Sequence, residues 1–313
     1  MPTPPPAAAE AAAAPASAAA APVRGRAPRG RATPYLFLAP ALAVYGAFLL
    51  YPLARAVQFS FYDFDGLTVG TPVGVANYAA VLTDAGLRAA FGHALVLVVF
   101  FSLLPLAVGL VLAALLVRAR VRGLPLFRTV VFLPQVIAMV VVAVAWRRIY
   151  APDGTLNDLL RAVGLDALAR TWLGDYATAL PAVGLIGTWV STGLVTVLLM
   201  AGMARVPKEL YEAASLDGAS PARQLRSLTL PAIRPEIAVA LTLTIISALK
   251  TFDLVYVTTG GGPGTSTTVP SYEVYRRAFE LGEVGAAAAV GVVLTALVFA
   301  VNLVVNRVAD RQR

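Results

Sequence analysis

Long apolar stretches alternate with polar segments, or with segments that contain Gly and Pro, along most of the 313-residue chain. A helix that crosses a lipid bilayer needs about 20 consecutive, mostly apolar residues. Six windows meet this requirement, so the pattern predicts an all-α membrane protein with six transmembrane helices. The predicted spans are 35–57, 91–117, 127–146, 180–203, 237–256 and 285–306.

The composition supports a membrane protein and argues against a catalytic or metal site. The chain is 58% hydrophobic and 13% charged, whereas soluble domains carry about 25% charged residues. The absence of cysteine excludes disulfides and cysteine-rich metal sites. Because His93 is the single histidine, a histidine-built metal site or a Ser/His catalytic pair is not expected. We predict no catalytic residue, no metal and no cofactor bound by this chain.

Both ends of the chain read as tails outside the spans. Residues 1–22 are almost entirely Ala and Pro, a composition that buries little surface, so we predict a disordered tail over 1–33 with a basic end. A signal peptide is the alternative, but its positive charge precedes the apolar run. Here the arginines follow the Ala run. A short tail is predicted over 308–313.

Basic residues concentrate in alternate polar segments, and this bias predicts the orientation. They precede the first span, follow the second and fourth spans, and end the chain: Arg24, Arg26, Arg29, Arg31, Arg118, Arg120, Arg122, Arg128, Arg205, Lys208, Arg223, Arg226, Arg234, Arg307, Arg311 and Arg313. Cytoplasmic loops carry an excess of Lys and Arg. Both termini and the segment 205–236 are therefore predicted to face the cytoplasm. Topology accounts for the net charge of +8, and a nucleic-acid partner is not predicted.

The segment 205–236 predicts two short helices separated by a turn. Pro207 suits a first helical position, and the residues to Leu216 are mostly good helix formers. Gly218 is expected to end this helix in the left-handed conformation.

A second helix follows from Ser220-Pro221, which reads as an N-cap and a first-turn proline. It is expected to run to about Leu228, and Leu230-Pro231 is expected to end it. The result is a helix–turn–helix at the membrane surface. A rigid helix of this kind can fit a groove of a partner and transmit its movement. The alternative is an amphipathic loop that lies on lipid headgroups.

The spacing in this segment resembles the coupling loop of permease subunits in ABC importers. It reads E-A-A, three residues, G, nine residues, an aliphatic residue, one residue, L-P. The residues that match are Glu212, Ala213, Ala214, Gly218, Leu228, Leu230 and Pro231. The resemblance implies that they contact a cytoplasmic ATPase. Glu212 is suited to pairing with a basic residue there, and the two alanines permit close approach.

Further stretches extend the resemblance over about residues 35–306. They are Leu49–Pro52, Ser60–Phe64, Gly74–Tyr78, Leu133-Pro134, Trp146–Tyr150, Gly154–Asn157, Lys250–Asp253 and Thr259–Pro263. Together they are similar to the maltose and glycerol-phosphate type of binding-protein-dependent ABC sugar permease. Leu228 stands where the loop motif often has Ile, and Ala76 stands where a larger residue is common.

The resemblance implies a function and a set of partners. This chain would form half of the translocation path of a carbohydrate importer in a bacterial cytoplasmic membrane. A second permease subunit, expected to be a different chain, would form the other half. Two cytoplasmic ATPase subunits would hold ATP and Mg²⁺, and an extracytoplasmic binding protein would deliver the sugar. A secondary transporter is the alternative, but it has no use for an ATPase-docking loop. A membrane enzyme is a further alternative, but the sequence shows no converging cluster of reactive side chains that would support it.

Polar side chains in two spans are candidates for the sugar path, because polar groups in a membrane tend to face the protein interior. Span four offers Thr188, Ser191 and Thr192 on one helical face, with Trp189 beside them. Span five offers Thr244, Ser247 and Thr251. The alternative is that these hydroxyls bond to their own helix or help helices pack.

Three further features are open to more than one interpretation. Lys250 and Asp253 form either a structural ion pair or a gate or substrate contact, and His93 is expected to serve packing or to lie at the membrane interface. The glycine-rich segment 260–266 lacks the lysine of a phosphate-binding loop. It is predicted to be a flexible outer loop.

Overall fold

The computed structural model describes residues 33–118 and 123–310. Nearly all of the predicted tail 1–33 and the end of the predicted tail 308–313 lie outside the described residues, as do Arg120 and Arg122. The described residues divide into two units, one that ends at Tyr51 and one that begins at Pro52. Helix α1 and the π-helical turn Gly46–Leu50 belong to the first unit, and the elements from Pro52 onward belong to the second.

The fold is almost entirely helical, which confirms the predicted class. The α-helices are α1 Thr33–Tyr45, α2 Tyr51–Phe59, α3 Ala76–Thr83, α4 Ala85–Val98, α5 Leu104–Arg118, α6 Leu124–Val136, α7 Met139–Ile149, α8 Thr155–Ala162, α9 Ala179–Met203, α10 Lys208–Leu216, α11 Pro221–Gln224, α12 Leu230–Ala232, α13 Arg234–Leu249, α14 Asp253–Thr258, α15 Pro270–Tyr275 and α16 Val284–Asp310. A 3₁₀ turn covers Asp166–Leu168, and further π-helical turns cover Val99–Leu103, Leu225–Thr229 and Arg276–Glu280. Strands β1 Tyr62–Asp63 and β2 Thr71–Pro72 form a small antiparallel hairpin.

Four helical stretches are long and apolar enough to cross a membrane: Phe37–Phe59, Ala85–Val117, Ala179–Met203 and Val284–Arg307. Two further pairs of helices meet the test only when each bent pair counts as one span, which gives up to six. The second stretch begins earlier than predicted, because the Asp84 carboxylate accepts the Leu87 N–H at 2.7 Å and caps α4. The last helix continues through the predicted tail boundary to Asp310.

The predicted third span, 127–146, is not one straight helix. Helices α6 and α7 meet at an angle of 97°. Pro134 lies inside the last turn of α6, and proline lacks the N–H that would continue the hydrogen-bond ladder. The helix therefore ends at Val136, and a new one begins at Met139.

The helix of the predicted fifth span, 237–256, ends earlier in the chain than expected. Helix α13 ends at Leu249, and a separate short helix, α14, begins at Asp253. An acidic residue in the first turn favours a helix start, so Asp253 marked this boundary in the sequence. The apolar character of the flanking residues hid the break.

Helix α9 lies at the centre of the second unit and is buried over most of its length. Its glycines allow the neighbouring helices to come close. A Cβ at Gly187 would lie 1.9 Å from the Phe101 ring, and a Cβ at Gly193 would lie 2.1 Å from the Val131 carbonyl oxygen. Small residues serve the same purpose wherever membrane helices pack tightly.

Two apolar clusters surround α9. One joins α9 to α4, α7, α13 and α14 around Phe101, Val183 and Ile186. The other joins its C-terminal end to α5 and α13 around Leu199, Met203 and Ile233. Helices α9 and α13 are thus held against the same neighbours, and the segment between them projects from this core.

Candidate functional site

The segment between α9 and α13 folds as two short helices and a turn, as the sequence predicts. Gly218 follows α10 with a φ of 74°, the left-handed conformation expected there. The Ser220 hydroxyl accepts the Arg223 N–H at 3.4 Å, and Pro221 occupies the first helical turn. Pro207 differs from the prediction, because it is the N-cap and α10 begins at Lys208.

The prediction that Leu230-Pro231 ends the second helix is wrong. The chain stays helical through the π-helical turn and α12 to Ala232, and it turns at Ile233. Pro231 lies in the first turn of α12, where a missing N–H is tolerated. Ile233 is fully buried in the apolar cluster at the end of α9, so burial of this side chain fixes the turn.

Most of the motif residues are accessible on the surface of this segment. Glu212, Ala213, Gly218 and Pro231 are exposed, and Ala214, Leu228 and Leu230 are half-buried. Glu212 also lines a cavity of about 440 Å³ between the segment and the ends of α5 and α9.

Leu216 is a residue that the motif did not single out. It ends α10, and 90% of its surface is exposed. It lies four residues after Glu212, so both side chains point to one side of α10. The sequence signal was an apolar residue in the last turn of a polar surface helix.

Side-chain hydrogen bonds join the two halves of the segment. The buried Gln224 donates from Nε2 to the Ser215 hydroxyl at 2.9 Å and to the Ala219 carbonyl at 3.1 Å. The hydroxyls of Tyr211 and Thr229 lie 2.9 Å apart. These bonds link α10 to the second helix and brace the segment internally. Sequence reasoning missed this pair of links, because Gln224 carries no recognisable spacing.

The candidate path residues of α9 fall into two groups. The hydroxyls of Thr188 and Thr192 donate to backbone carbonyls, Thr188 to Phe100 at 2.7 Å and Thr192 to Thr188 at 2.7 Å. Phe100 lies in a π-helical turn, where one helical hydrogen bond is lost, and Thr188 satisfies its carbonyl. Both hydroxyls therefore bond to helix carbonyls, and the place of these threonines in a sugar path stays a prediction.

Trp189 and Ser191 point in different directions. Ser191 is buried, whereas Trp189 is 42% exposed and its ring centroid lies 5.6 Å from that of Trp146. An exposed indole on a central helix is available to a ligand or to another membrane subunit. The role of these residues in a sugar path stays a prediction.

The candidate residues of α13 do not share one face. Thr244 is buried and donates to the Ala240 carbonyl at 2.9 Å, whereas Ser247 is exposed. Thr251 is buried beyond the end of α13. The predicted stripe is broken because the helix ends at Leu249, which leaves Ser247 as the accessible hydroxyl of the three.

Lys250 and Asp253 do not form the structural ion pair that one interpretation predicts. Both are exposed, and no salt bridge within the described ranges joins them. The break between α13 and α14 separates them. Lys250 instead lines a cavity of about 630 Å³, together with Phe252 and Tyr275.

His93 contacts the chain just after the glycine-rich segment 260–266. The Nδ1 atom of His93 lies 2.9 Å from the Thr268 carbonyl oxygen, so this histidine links α4 to the end of that loop. The segment is also closed by the Thr267 hydroxyl, which donates to the Gly262 carbonyl at 2.8 Å. This hydrogen bond ties the end of the loop to its glycine-rich part, and the flexibility of the loop stays a prediction.

Two asparagines hold loop segments that belong to the stretches carrying the family resemblance. Asn77 donates to the carbonyls of Ser60 and Tyr62, both at 3.0 Å, and so fixes the hairpin. The buried Asn157 donates to three carbonyls and accepts the Trp172 indole N–H at 2.9 Å. Both side chains satisfy backbone groups that loops leave unpaired.

The tip of the hairpin presents apolar side chains to solvent. Leu67 is 93% exposed, and the neighbouring Asp65 carboxylate accepts the backbone N–H groups of Leu67 and Thr68. These hydrogen bonds, of which the one from Thr68 has the largest effect, hold the pKa of Asp65 below its usual value. The tip is therefore locally ordered and accessible.

The geometry is that of a membrane protein with an exposed, braced helical segment, and comparisons with known proteins give its class. Residues 106–313 match the family of binding-protein-dependent transport system inner membrane components. The chain is 37% identical to a probable ABC transporter permease protein, YurN, of Bacillus subtilis strain 168, over 88% of this chain and 95% of that one.

Two further comparisons agree. The chain is 32% identical to the trehalose/maltose transport system permease protein MalF of Thermococcus litoralis, over 89% of this chain and 94% of that one. A chain from the crystal structure of a bacterial alginate ABC transporter, in complex with an alginate pentasaccharide-bound periplasmic protein, superposes with a TM-score of 0.75. It is 23% identical, and the match covers 88% of this chain and 93% of that one.

This protein belongs to the family of binding-protein-dependent transport system inner membrane components. It is a multi-pass membrane permease subunit of an ABC importer, not an enzyme. Within the described residues, no group of three or more His, Cys, Asp or Glu side chains is placed to hold a metal ion.

Proposed function

We propose that this chain forms half of the translocation path of an ATP-driven carbohydrate importer and is driven through the segment 205–236. The observation that carries the proposal is the exposed, internally braced helix–turn–helix between α9 and α13. A rigid element transmits movement as a unit, whereas a flexible loop would absorb it. The bracing also argues against a loop that simply rests on headgroups.

The proposed ATPase contact is built around the outer face of α10. Leu216 and Glu212 offer an apolar anchor and a charge, and Ala213 between them leaves room for a partner backbone. Exposed apolar residues rimmed by polar ones mark interaction surfaces. Leu228 and Leu230, in the second helical stretch, are half-buried and complete the proposed contact. Two ATPase subunits, which hold ATP and Mg²⁺, are the proposed partners on this side.

A carbohydrate is the proposed cargo. The named relative from Thermococcus litoralis is a trehalose/maltose permease, and the structural neighbour was solved with a sugar-bound periplasmic protein. The exposed Trp189 and Ser247 offer an aromatic face and a hydroxyl, the groups that sugar recognition uses. A second permease subunit, a different chain, would complete the path, and an extracytoplasmic binding protein would deliver the sugar. No nucleic acid takes part.

The orientation can be tested with single cysteines, since the native chain has none. Ala222, in the proposed cytoplasmic segment, and Leu67, at the hairpin tip, are both exposed. In intact cells an impermeant thiol reagent should label Leu67→Cys and leave Ala222→Cys unlabelled until the membrane is permeabilised. The reverse pattern would contradict the proposed coupling role.

The cargo can be tested with a strain that lacks this chain. Growth on single mono- and oligosaccharides should fail for one or a few sugars and return with the wild-type chain. The variant Glu212→Lys should insert in the membrane but fail to restore growth. If the strain grows on every carbohydrate that supports its parent, the chain does not import a carbohydrate.

A further inference from the structure

An ion pair joins the two ends of the segment 205–236. The Arg205 Nη1 atom, just beyond the end of α9, lies 3.0 Å from the Glu236 Oε1 atom in the first turn of α13. We propose that this pair ties α9 to α13, so that movement of the segment reaches both helices together. The inference rests on the proposed function, because it assigns how the coupling segment acts on the path.

Glu236 is the more buried partner of this ion pair, and the last turn of α9 accommodates its side chain. Its side chain is only 12% exposed, whereas that of Arg205 is 75% exposed. Glu236 lies directly against Gly202, where a Cβ would be 2.8 Å from both its Cγ and its Cδ atoms. Because only glycine leaves this space, the last turn of α9 is shaped to receive the side chain of α13.

The helix ends favour the same arrangement of charges. The C-terminus of a helix carries partial negative charge, and the N-terminus carries partial positive charge. Arg205 follows the C-terminus of α9, and Glu236 lies at the N-terminus of α13. Each charge therefore interacts favourably with its own helix and with its partner.

An apolar contact lies in the same region as the ion pair. Ile233, at the turn before α13, is fully buried with Met203 of α9. The ion pair and this contact together close the base of the segment. Helices α9 and α13 also carry the accessible candidate path residues Trp189 and Ser247. If the tie were lost, the segment would follow the ATPase while one helix lagged, and ATP would be hydrolysed without transport.

The pair is a positioning device and contributes little to stability. An ion pair with an exposed partner stabilises a fold only slightly, so variants should still insert and assemble. In complexes reconstituted with both permeases, the ATPase and the binding protein, Arg205→Gln and Glu236→Gln should each lower sugar uptake per ATP hydrolysed. We expect a fall of about two- to fivefold. Arg205→Lys should keep a near wild-type ratio, because it can still pair.

The double variant shows whether the two side chains act through one shared interaction or through two independent effects on transport. Arg205→Gln with Glu236→Gln should be no worse than the poorer single variant, because one interaction is lost only once. The exposed Arg307→Gln, at the end of α16, controls for the loss of one positive charge. An unchanged ratio in both single variants, or a double loss equal to the product of the two, would overturn the proposal.

A second measurement does not depend on the cargo. Spin labels at Ala201→Cys and Val239→Cys, two exposed positions on α9 and α13, report the distance between the helices. In the purified complex this distance should be the same with and without ATP. The variant Glu236→Gln should broaden the distribution of distances. A distance that changes with ATP in the wild type would refute the tie even if transport is normal. Failure of the wild-type complex to take up any sugar would refute only the proposed cargo.

Discussion

Substitutions at Gly218 test whether the turn after α10 depends on backbone conformation. Gly218 has a φ of 74°, and an added Cβ would meet no atom within 4 Å. Space is therefore available for any side chain, and only the left-handed backbone opposes a substitution. An ordinary L-residue in that region costs about 1–2 kcal/mol, while Asn is tolerated better and β-branched residues are worst.

The expected order of coupling is Gly218, then Gly218→Asn, then Gly218→Ala, then Gly218→Val. A cost of 1–2 kcal/mol corresponds to a factor of about 5–30 in the population of the formed turn. That factor is the upper limit for the loss of ATPase binding by Gly218→Ala. The assay is co-purification of the ATPase with permease from membranes in which the variant levels are equal.

Gly164 provides a matched control. It follows α8 with a φ of 77° and equal free space around a Cβ, but it lies outside the coupling segment. Gly164→Ala carries the same backbone strain and should leave ATPase binding unchanged. If binding instead falls in order of side-chain size, so that Asn is worse than Ala, the backbone argument is refuted.

Three further predictions follow from the side chains that brace or line the molecule. Gln224→Leu removes one of the two links between the halves of the segment, so the variant should reach the membrane normally yet retain less ATPase on co-purification; equal retention would contradict the bracing role. Asn157→Leu removes the hydrogen bonds of the buried amide to Arg170 and Trp172, at about 0.5–1.5 kcal/mol each, so the purified protein should melt at a clearly lower temperature, and an unchanged melting temperature would show that the amide is not needed. Ser247→Leu should reduce sugar uptake more than Val304→Leu, a matched change at an exposed apolar position of α16, and equal uptake would place the path elsewhere.

The sequence predicted the features that depend on local chemistry. Hydrophobic stretches located the spanning helices, and Gly218 and Ser220-Pro221 gave the turn and the start of the second helix. Proline at 134 and aspartate at 253 also carried local signals of breaks. The apolar character of the surrounding residues outweighed these two signals. A hydropathy window measures only how apolar a stretch is, and it does not detect a bend between two helices.

The features that depend on tertiary contacts were not predictable from spacing. The continuation of the helix through Pro231 depends on burial of Ile233. The hydroxyl of Thr188 is used by a carbonyl of another helix, 88 residues away in sequence. The ion pair of Arg205 with Glu236 joins two helix ends that only the folded chain brings together. Polar residues in a span indicate a buried role, and only the neighbouring helices decide which one.

The most direct test of the central claim is the accessibility of Leu216 in the presence and absence of the ATPase. Leu216→Cys, at an exposed position of α10, gives a single thiol in a chain without native cysteine. Its rate of reaction with a thiol reagent should be high in the permease alone and strongly reduced in the complete complex. Leu67→Cys, at the hairpin tip, should react at the same rate in both. Equal reactivity of Leu216→Cys with and without the ATPase would contradict docking at this segment.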